Sequence, residues 1–175
     1  MVLSSGLENG SDLRFSADGR RLVAAGANGS VAIWQIGERT LVSQFRAYEG
    51  PAVAAACLGE QRVITGGLDD AACIWNTADA REEWRSRFAD LYLRTLDLTA
   101  DGKTAAWAGF GRKIIVWDLD HNRQKLEISM RSPVTQLKFS PDGNRLAAAG
   151  MERWIRLFDA RTGAELPAID IGPPR

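Results

Sequence analysis

A single histidine limits the acid-base chemistry that this chain could perform. His121 lies between Asp120 and Asn122 and is the only histidine among 175 residues. A Ser-His-Asp or Cys-His arrangement would have to include it, but no G-x-S-x-G motif is present and both cysteines lie elsewhere in the chain. Adjacent carboxylates such as Asp69-Asp70 are typical of turns. We therefore expect an exposed loop histidine, no catalytic residues and no enzymatic activity.

The tripeptide Gly102-Lys103-Thr104 matches the end of a phosphate-binding loop. Such a loop needs an earlier glycine, which here would fall at Asp97, and a strand-loop-helix context that is absent. The same turn recurs as Asp18-Gly19-Arg20 and Asp142-Gly143-Asn144. It is better interpreted as a turn that connects two strands, and no cofactor is expected.

A metal site is not indicated either. Asp118, Asp120 and Asn122 have the spacing that begins a calcium loop, but Arg123 occupies the position of the essential glycine and Ser129 that of the bidentate glutamate. No C-x-x-C motif suggests zinc. We expect a solvated loop and no metal.

The elements that hold these residues are short strands arranged in four repeats. From Thr135 to Ala160 the sequence alternates as three antiparallel strands joined by turns, which are too small to bury their own faces. The pattern recurs with a period of 41 or 42 residues, which for short strands is typical of a propeller blade. The recurring positions are Trp34, Trp75, Trp117 and Phe158, together with Gly26, Gly67, Gly109 and Gly150.

At these positions the chain resembles the WD-repeat β-propeller family. The resemblance rests on G-x-x-G-S-V-x-I-W ending at Trp34, D-D-x-x-x-I-W ending at Trp75, I-I-V-W-D at 114–118 and I-R-L-F-D at 155–159. It covers about 13–169. The Gly-His pair that usually opens a repeat is missing, and the Trp-Asp pair is complete only at Trp117-Asp118.

The resemblance implies an all-β fold with four four-stranded blades, at about 11–46, 51–88, 92–129 and 133–170, in a single domain spanning 1–175 with loose ends at 1–10 and 171–175. Four blades would form a half ring, because propellers of this family usually close with seven or eight. The chain could be a piece of a longer product, a homodimer that completes an eight-bladed ring, or four blades alone.

Some local features are predicted within this frame. Val134 and Leu137 are out of alternating phase, as are Val53 and Leu58, and a bulge in the first strand would bring both pairs to the core. Asn28-Gly29 predicts a hairpin turn of the primed type. The segment 81–88 alternates poorly and could be partly helical.

The resemblance also implies a function, namely a non-catalytic scaffold for protein–protein interaction. Partners of this family usually dock on the face made by the second turn of each blade and the loop entering the next. By register, those positions are Asn28, Asp69, Phe110, Arg112, Glu152 and Arg153 in the turns, and Tyr48, Glu49, Asp90, Tyr92 and Arg131 in the loops. The alternative is a regulatory or sensory propeller fragment of a larger kinase- or protease-associated enzyme, encoded in the same or a neighbouring chain.

Two features of the resemblance remain open at this stage. Trp154 beside Arg153 has the composition of an interaction hot spot, but it could equally pack on its own sheet. The family also uses a buried His, Ser or Thr, Asp and Trp network within a blade. The histidine is missing from every repeat and the aspartate is matched only by Asp69, so no complete network is expected.

Composition sets the remaining expectations. Lysine plus arginine and aspartate plus glutamate number 22 each, so no net charge favours nucleic acid or an anionic membrane as a partner. No apolar run has membrane-spanning length. Cys57 and Cys73 fall in strands that would not be neighbours, which predicts two buried free thiols. We expect a cytoplasmic protein whose partners are other proteins.

Overall fold

The chain folds into four separate antiparallel β-sheets. The structure, a computed structural model, describes residues 7–172, and these contain sixteen strands and no helix. Each sheet has four strands in chain order. The all-β fold with four four-stranded blades is therefore confirmed, and the sheets are called blades 1 to 4.

Two compact units, Met1–Ala89 and Asp90–Arg175, each contain two blades. Blade 1 consists of β1 Gly10–Phe15, β2 Arg21–Gly26, β3 Ser30–Gln35 and β4 Thr40–Arg46, and blade 2 of β5 Ala52–Leu58, β6 Arg62–Gly67, β7 Ala71–Asn76 and β8 Glu82–Arg87. Blade 3 consists of β9 Leu93–Leu98, β10 Thr104–Gly109, β11 Lys113–Asp118 and β12 Arg123–Ser129, and blade 4 of β13 Val134–Phe139, β14 Arg145–Gly150, β15 Trp154–Asp159 and β16 Glu165–Asp170.

The core of the N-terminal unit lies between its two blades. Val31 and Ile33 of blade 1 pack with Val63, Cys73 and Trp75 of blade 2. The first strand of blade 2, β5, packs against β1 and β2. Cys57 and Cys73 are both free, as predicted.

The C-terminal unit repeats this arrangement. Ile114 and Val116 of blade 3 pack with Leu137, Leu146 and Phe158 of blade 4, and β13 packs against β9 and β10. In both units the recurring aromatic residue of the later blade thus faces the earlier blade. Stacking buries the faces that a single sheet would expose.

Each blade also carries a bulge near the start of its first strand. The pairing of β13 with β14 shifts between Val134 and Gln136, and that of β5 with β6 shifts between Ala52 and Ala54. Val134 and Leu137 are buried as a result, as are Val53 and Leu58. The predicted bulges are confirmed.

Two of the repeated glycines, Gly109 and Gly150, are required by close backbone contacts. A Cβ atom at Gly109 would lie 1.8 Å from the carbonyl oxygen of Tyr92, and one at Gly150 would lie 1.9 Å from that of Pro133. In each case the loop before the first strand crosses the end of the second strand. No other residue fits without moving this loop.

Three of the four turns between the first and second strands share one hydrogen-bonding pattern. In blade 4 the Ser140 hydroxyl donates to Asp142 Oδ1 at 2.5 Å, and Asp142 Oδ1 also accepts the Asn144 N–H at 3.1 Å. Ser16 and Asp18, and Thr99 and Asp101, repeat these contacts. Thr99 and Asp101 flank the tripeptide that resembles a phosphate loop, so its interpretation as a strand-connecting turn is confirmed.

Three local predictions need correction. The segment 81–88 contains the strand β8 rather than helix. Asn28 has no positive φ, so the turn is not of the primed type; Gly29, with φ 79°, follows an ordinary turn as its left-handed residue. Residues 8–10 are not loose, because the Ala27 N–H donates to the carbonyls of Glu8 and Asn9 and β1 begins at Gly10. Residues 1–6 and 173–175 of the predicted loose ends lie outside the described residues.

Within residues 7–172 the structure contains no candidate for a membrane-spanning helix.

Candidate protein-interaction face

One end of each blade is built from a short turn and the loop that precedes the blade. The turns join the second and third strands at 27–29, 68–70, 110–112 and 151–153. The first residue of the turn donates its N–H to a carbonyl of the preceding loop, at 3.0 Å from Leu68 to Pro51, 3.1 Å from Phe110 to Tyr92 and 3.3 Å from Met151 to Pro133. We call this end of the blades the turn face.

In the C-terminal unit, large apolar side chains are exposed on the turn face. Tyr92 is 56% exposed, Phe110 43% and Met151 70%. Phe110 and Met151 occupy the same position in successive turns, and Tyr92 lies in the loop that is hydrogen-bonded to Phe110. Exposed clusters of large apolar residues are typical of binding surfaces.

Two arginines of the turn face form no side-chain hydrogen bond or ion pair with the described residues. Neither Arg112 nor Arg131 has a side-chain hydrogen bond or ion pair with any residue in 7–172. Arg112 is held in the left-handed region, with φ 55°, which fixes its backbone at the end of the turn. Asp90, with φ 57°, is the exposed carboxylate of this region.

The other two predicted charged residues in blade 4 are occupied within the blade. Arg153 forms an ion pair with Asp170, and its guanidinium lies 5.1 Å from the ring centre of Trp154. Glu152 accepts a hydrogen bond at 2.7 Å from the buried Arg156, and this bond is the main reason that the pKa of Glu152 is lowered. Both contacts favour a role in holding the turn rather than in contacting a partner.

On the turn face of the N-terminal unit, the predicted polar residues are paired locally. Asn28 Oδ1 accepts the Ser30 N–H at 3.1 Å. Asp69 Oδ1 accepts the Ala71 N–H at 3.2 Å, as expected for a turn aspartate, and Arg87 lies 3.5 Å from Asp69. Glu49 lies 3.4 Å from Arg46.

Tyr48 is the predicted surface residue that the structure places in the core. It is only 5% exposed and packs between blades 1 and 2. Its hydroxyl lies 2.8 Å from Thr65 Oγ1, which also accepts the Trp75 indole N–H at 3.0 Å. Blade 2 thus contains a buried hydrogen-bonded network of Tyr48, Thr65 and Trp75. It differs from the family's network, which includes a histidine.

Two exposed residues were missed in the sequence. Leu68 is 53% exposed and Met151 is 70% exposed, and both lie at the turn position of Phe110. The repeat register would have identified them, because the three residues are 41 or 42 positions apart.

The histidine of the chain lies in the turn between β11 and β12. The side chain of His121 is 69% exposed, and its Nδ1 lies 3.0 Å from Asp118 Oδ2. This confirms the prediction of an exposed loop histidine. Within 7–172 no group of three or more His, Cys, Asp or Glu side chains could hold a metal ion.

Comparison with known proteins agrees with this architecture. The family model described as "WD domain, G-beta repeat" matches residues 8–35 and 124–159. Each match ends one residue after a recurring aromatic residue, Trp34 in the first and Phe158 in the second. The second begins in the outer strand of blade 3 and continues through the third strand of blade 4.

Two curated proteins are similar to the chain, and the name of one of them denotes WD repeats. The chain is 20% identical over 163 residues to cilia- and flagella-associated protein 52 of Sus scrofa, covering 90% of the chain and 26% of the relative. It is 26% identical over 101 residues to WD repeat-containing protein SL1-17 of Schistosoma mansoni, covering 58% of the chain and 34% of the relative. Neither name denotes an enzyme. The two matched repeats, these relatives and the four blades in one register support a WD-repeat family for this chain.

Proposed function

We propose that this protein is a non-catalytic scaffold that binds other proteins through the turn face of its C-terminal unit. The observation that carries the proposal is the exposure of Tyr92, Phe110 and Met151 on one face of two packed blades. Aromatic, methionine and arginine side chains are the residues enriched in protein interfaces. The match to the WD-repeat family, whose members generally serve as interaction scaffolds, supports the same function.

The charges of this face indicate the kind of partner. Arg112 and Arg131 have no side-chain hydrogen bond or ion pair within 7–172, although the charge of Arg131 contributes to the lowered pKa of Glu152. The hydrogen-bonded partner of Glu152 is Arg156, and that of Asp170 is Arg153. Asp90 is the remaining acid. We therefore propose an extended segment that carries an apolar anchor beside acidic side chains, because its carboxylates would complement the two arginines.

A defined peptide library provides the test. Peptides selected for binding to the whole chain should combine an aromatic or aliphatic residue with acidic neighbours. The double variant Phe110→Ala/Arg112→Ala should weaken the selected peptides at least about tenfold, since interface anchors each contribute more than about 1 kcal/mol. Arg161→Ala, an exposed arginine at the opposite end of blade 4, should bind normally. Equal affinity for the double variant would disprove the assignment.

We also propose the cytoplasm as the location. Burial raises the pKa of Cys57 and Cys73 to about 11, so both free thiols stay protonated at neutral pH, and free thiols suit a reducing compartment. Cell fractionation with a tagged chain would test this, and recovery in a secreted fraction would contradict it.

A further inference from the structure

The side of blade 4 that faces away from blade 3 leaves apolar residues uncovered. We call the side of a blade that faces the following blade its distal face. The distal residues Val31 and Ile33 of blade 1 are fully buried. The distal residues Ile114 and Val116 of blade 3 are fully buried as well. The residues at the same repeat positions in blade 4, Ile155 and Leu157, are only partly buried.

The opposite side of blade 1, its proximal face, is uncovered at β1. Leu13 is 62% exposed and Phe15 is 66% exposed. Their counterparts in blade 4, Leu137 and Phe139, belong to the core between blades 3 and 4, and Leu137 is fully buried there. Blade 1 therefore exposes apolar side chains at the positions through which blade 4 contacts blade 3.

The uncovered strand is also the one that makes the contact in this fold. In each unit the first strand of the later blade packs on the earlier blade, β5 on β1 and β2, and β13 on β9 and β10. The rest of the proximal face of blade 1 is already closed, because Trp34 is 5% exposed and packs with Leu7 and Leu22. A partner would therefore meet β1 itself.

Charges do not oppose a contact between these two faces. Asp97 of blade 3 binds Lys138 Nζ of blade 4 at 2.8 Å. At the position of Asp97, blade 4 carries Lys138 and blade 1 carries Arg14. Lys138 is neutralised by Asp97, and Arg14 is paired with Asp12 at 2.9 Å. The two cations at these positions are therefore already paired with acids.

We infer that the occupant of both faces is a second copy of this chain. Leu13 and Phe15 of one copy pack against Ile155 and Leu157 of the other, in a contact that repeats the interface between blades 3 and 4. One chain carries both halves of an interface that it already builds within each unit. The contact is heterologous, so two of them are needed to close a dimer. This inference does not depend on peptide binding by the turn face.

Solution mass by light scattering over a wide range of concentrations tests the inference. The whole chain should have twice the monomer mass of 19.1 kDa. Leu13→Arg and Leu157→Arg should each reduce the mass to that of the monomer, because either change places a charge in the apolar contact. Circular dichroism and the melting temperature would verify that both variants fold. Val42→Arg, at an exposed position of the outer strand β4, is the matched control and should remain dimeric.

A mixture of the two variants makes the test specific. Leu13→Arg chains keep an intact blade 4 face and Leu157→Arg chains keep an intact β1, so the mixture should associate through one contact although neither variant does alone. A wild-type chain that is monomeric at every concentration would overturn the inference, and blades of a longer chain would then be the expected cover. A mixture that fails to associate, or a control that dissociates, would overturn it as well.

Discussion

At the scale of single residues, the four blades differ in how they satisfy the hydrogen-bonding group of the recurring aromatic residue. The recurring aromatic position holds an indole N–H in three blades. Trp75 donates to Thr65 at 3.0 Å, and Trp117 donates to Asn122 at 3.3 Å. In blade 4 the residue is Phe158, which has no N–H to satisfy. In blade 1 the position of Thr65 is taken by Ala24, and Trp34 Nε1 is buried without a partner among residues 7–172.

The Thr65 hydroxyl is expected to stabilise blade 2 substantially. Thr65→Val keeps the shape of the side chain but leaves the Trp75 indole and the Tyr48 hydroxyl without their shared partner. Burial raises the pKa of Tyr48, so this tyrosine stays neutral and cannot be rescued by ionisation. The free energy of unfolding, measured in urea at neutral pH, should fall by about 1–3 kcal/mol.

Thr95→Val is the matched control for that experiment. The Thr95 hydroxyl is buried and has no hydrogen-bond partner in the described part of the chain. Removing it should leave stability unchanged or raise it, because no bond is lost and a polar group leaves the core. Equal losses for the two variants would show that the network in blade 2 contributes nothing beyond shape.

The repeated glycines support a second prediction at this scale. Gly150→Ala would place a Cβ atom 1.9 Å from the carbonyl oxygen of Pro133. The loop before β13 must shift to accommodate it, so stability should fall by about 2 kcal/mol or more. At Gly50, which has no atom within 4 Å of the added Cβ, the same substitution should change stability by less than about 0.5 kcal/mol. Thermal unfolding of both variants would decide, and a tolerant Gly150 would contradict the contact.

At the scale of elements, the turns between first and second strands link stability to acid pH. Hydrogen bonds from Ser140 and then Asn144 lower the pKa of Asp142 to about 2. In the same way, the hydrogen bond from Ser16 lowers the pKa of Asp18, and the hydrogen bond from Thr99 lowers the pKa of Asp101. A carboxyl with a lowered folded pKa stabilises the protein fully above its unfolded value of about 3.9. This stabilisation is lost as pH falls through the folded pKa.

We therefore expect the difference in unfolding free energy between the wild type and Asp142→Asn to shrink as pH is lowered from about 4 to about 2. Asparagine does not titrate, so the variant supplies the baseline. Ser140→Ala removes the largest cause of the lowered pKa and should move the loss to higher pH. Urea unfolding at a series of pH values measures both effects, and a difference that is constant with pH would refute the assignment.

Strand identity was largely predictable from the sequence, and the exceptions have physical reasons. Alternation and the repeat period identify the strands whose faces are buried between blades. β8 is an outer strand with mostly exposed, charged side chains, two of which, Arg85 and Glu82, form an ion pair with each other at 2.6 Å. Burial therefore imposes no alternation on it. The repeat register also indicates the ion pair between Asp97 and Lys138, because these residues occupy the same position in successive blades and have opposite charges.

The interaction face was predicted less completely, because exposure depends on neighbours that the sequence does not show. Tyr48 occupies a loop position by register, yet it fills the space between two blades and bonds Thr65. Arg153 was expected to be available, but Asp170 pairs with it from the outer strand of the same blade. Conversely, Leu68 and Met151 look like core residues by type and are exposed.

At the scale of the whole molecule, the separate cores predict that stability is not uniform along the chain. Ile33 lies in the core of the N-terminal unit and Leu137 in that of the C-terminal unit, and both are fully buried. Truncating either to alanine should cost about 2–5 kcal/mol at its own site. In repeat proteins each module depends mainly on its neighbours, so the damage should spread through one unit more than through the other.

Hydrogen exchange followed by mass spectrometry would measure this directly. Leu137→Ala should accelerate exchange most in β9–β16, and Ile33→Ala should do so most in β1–β8, each variant serving as the control for the other. The comparison separates local from global opening, because a global loss of stability would accelerate the slowest amides everywhere by the same factor. Equal acceleration along the entire chain in both variants would mean that the two units unfold as one, and the nearest-neighbour description would then be wrong.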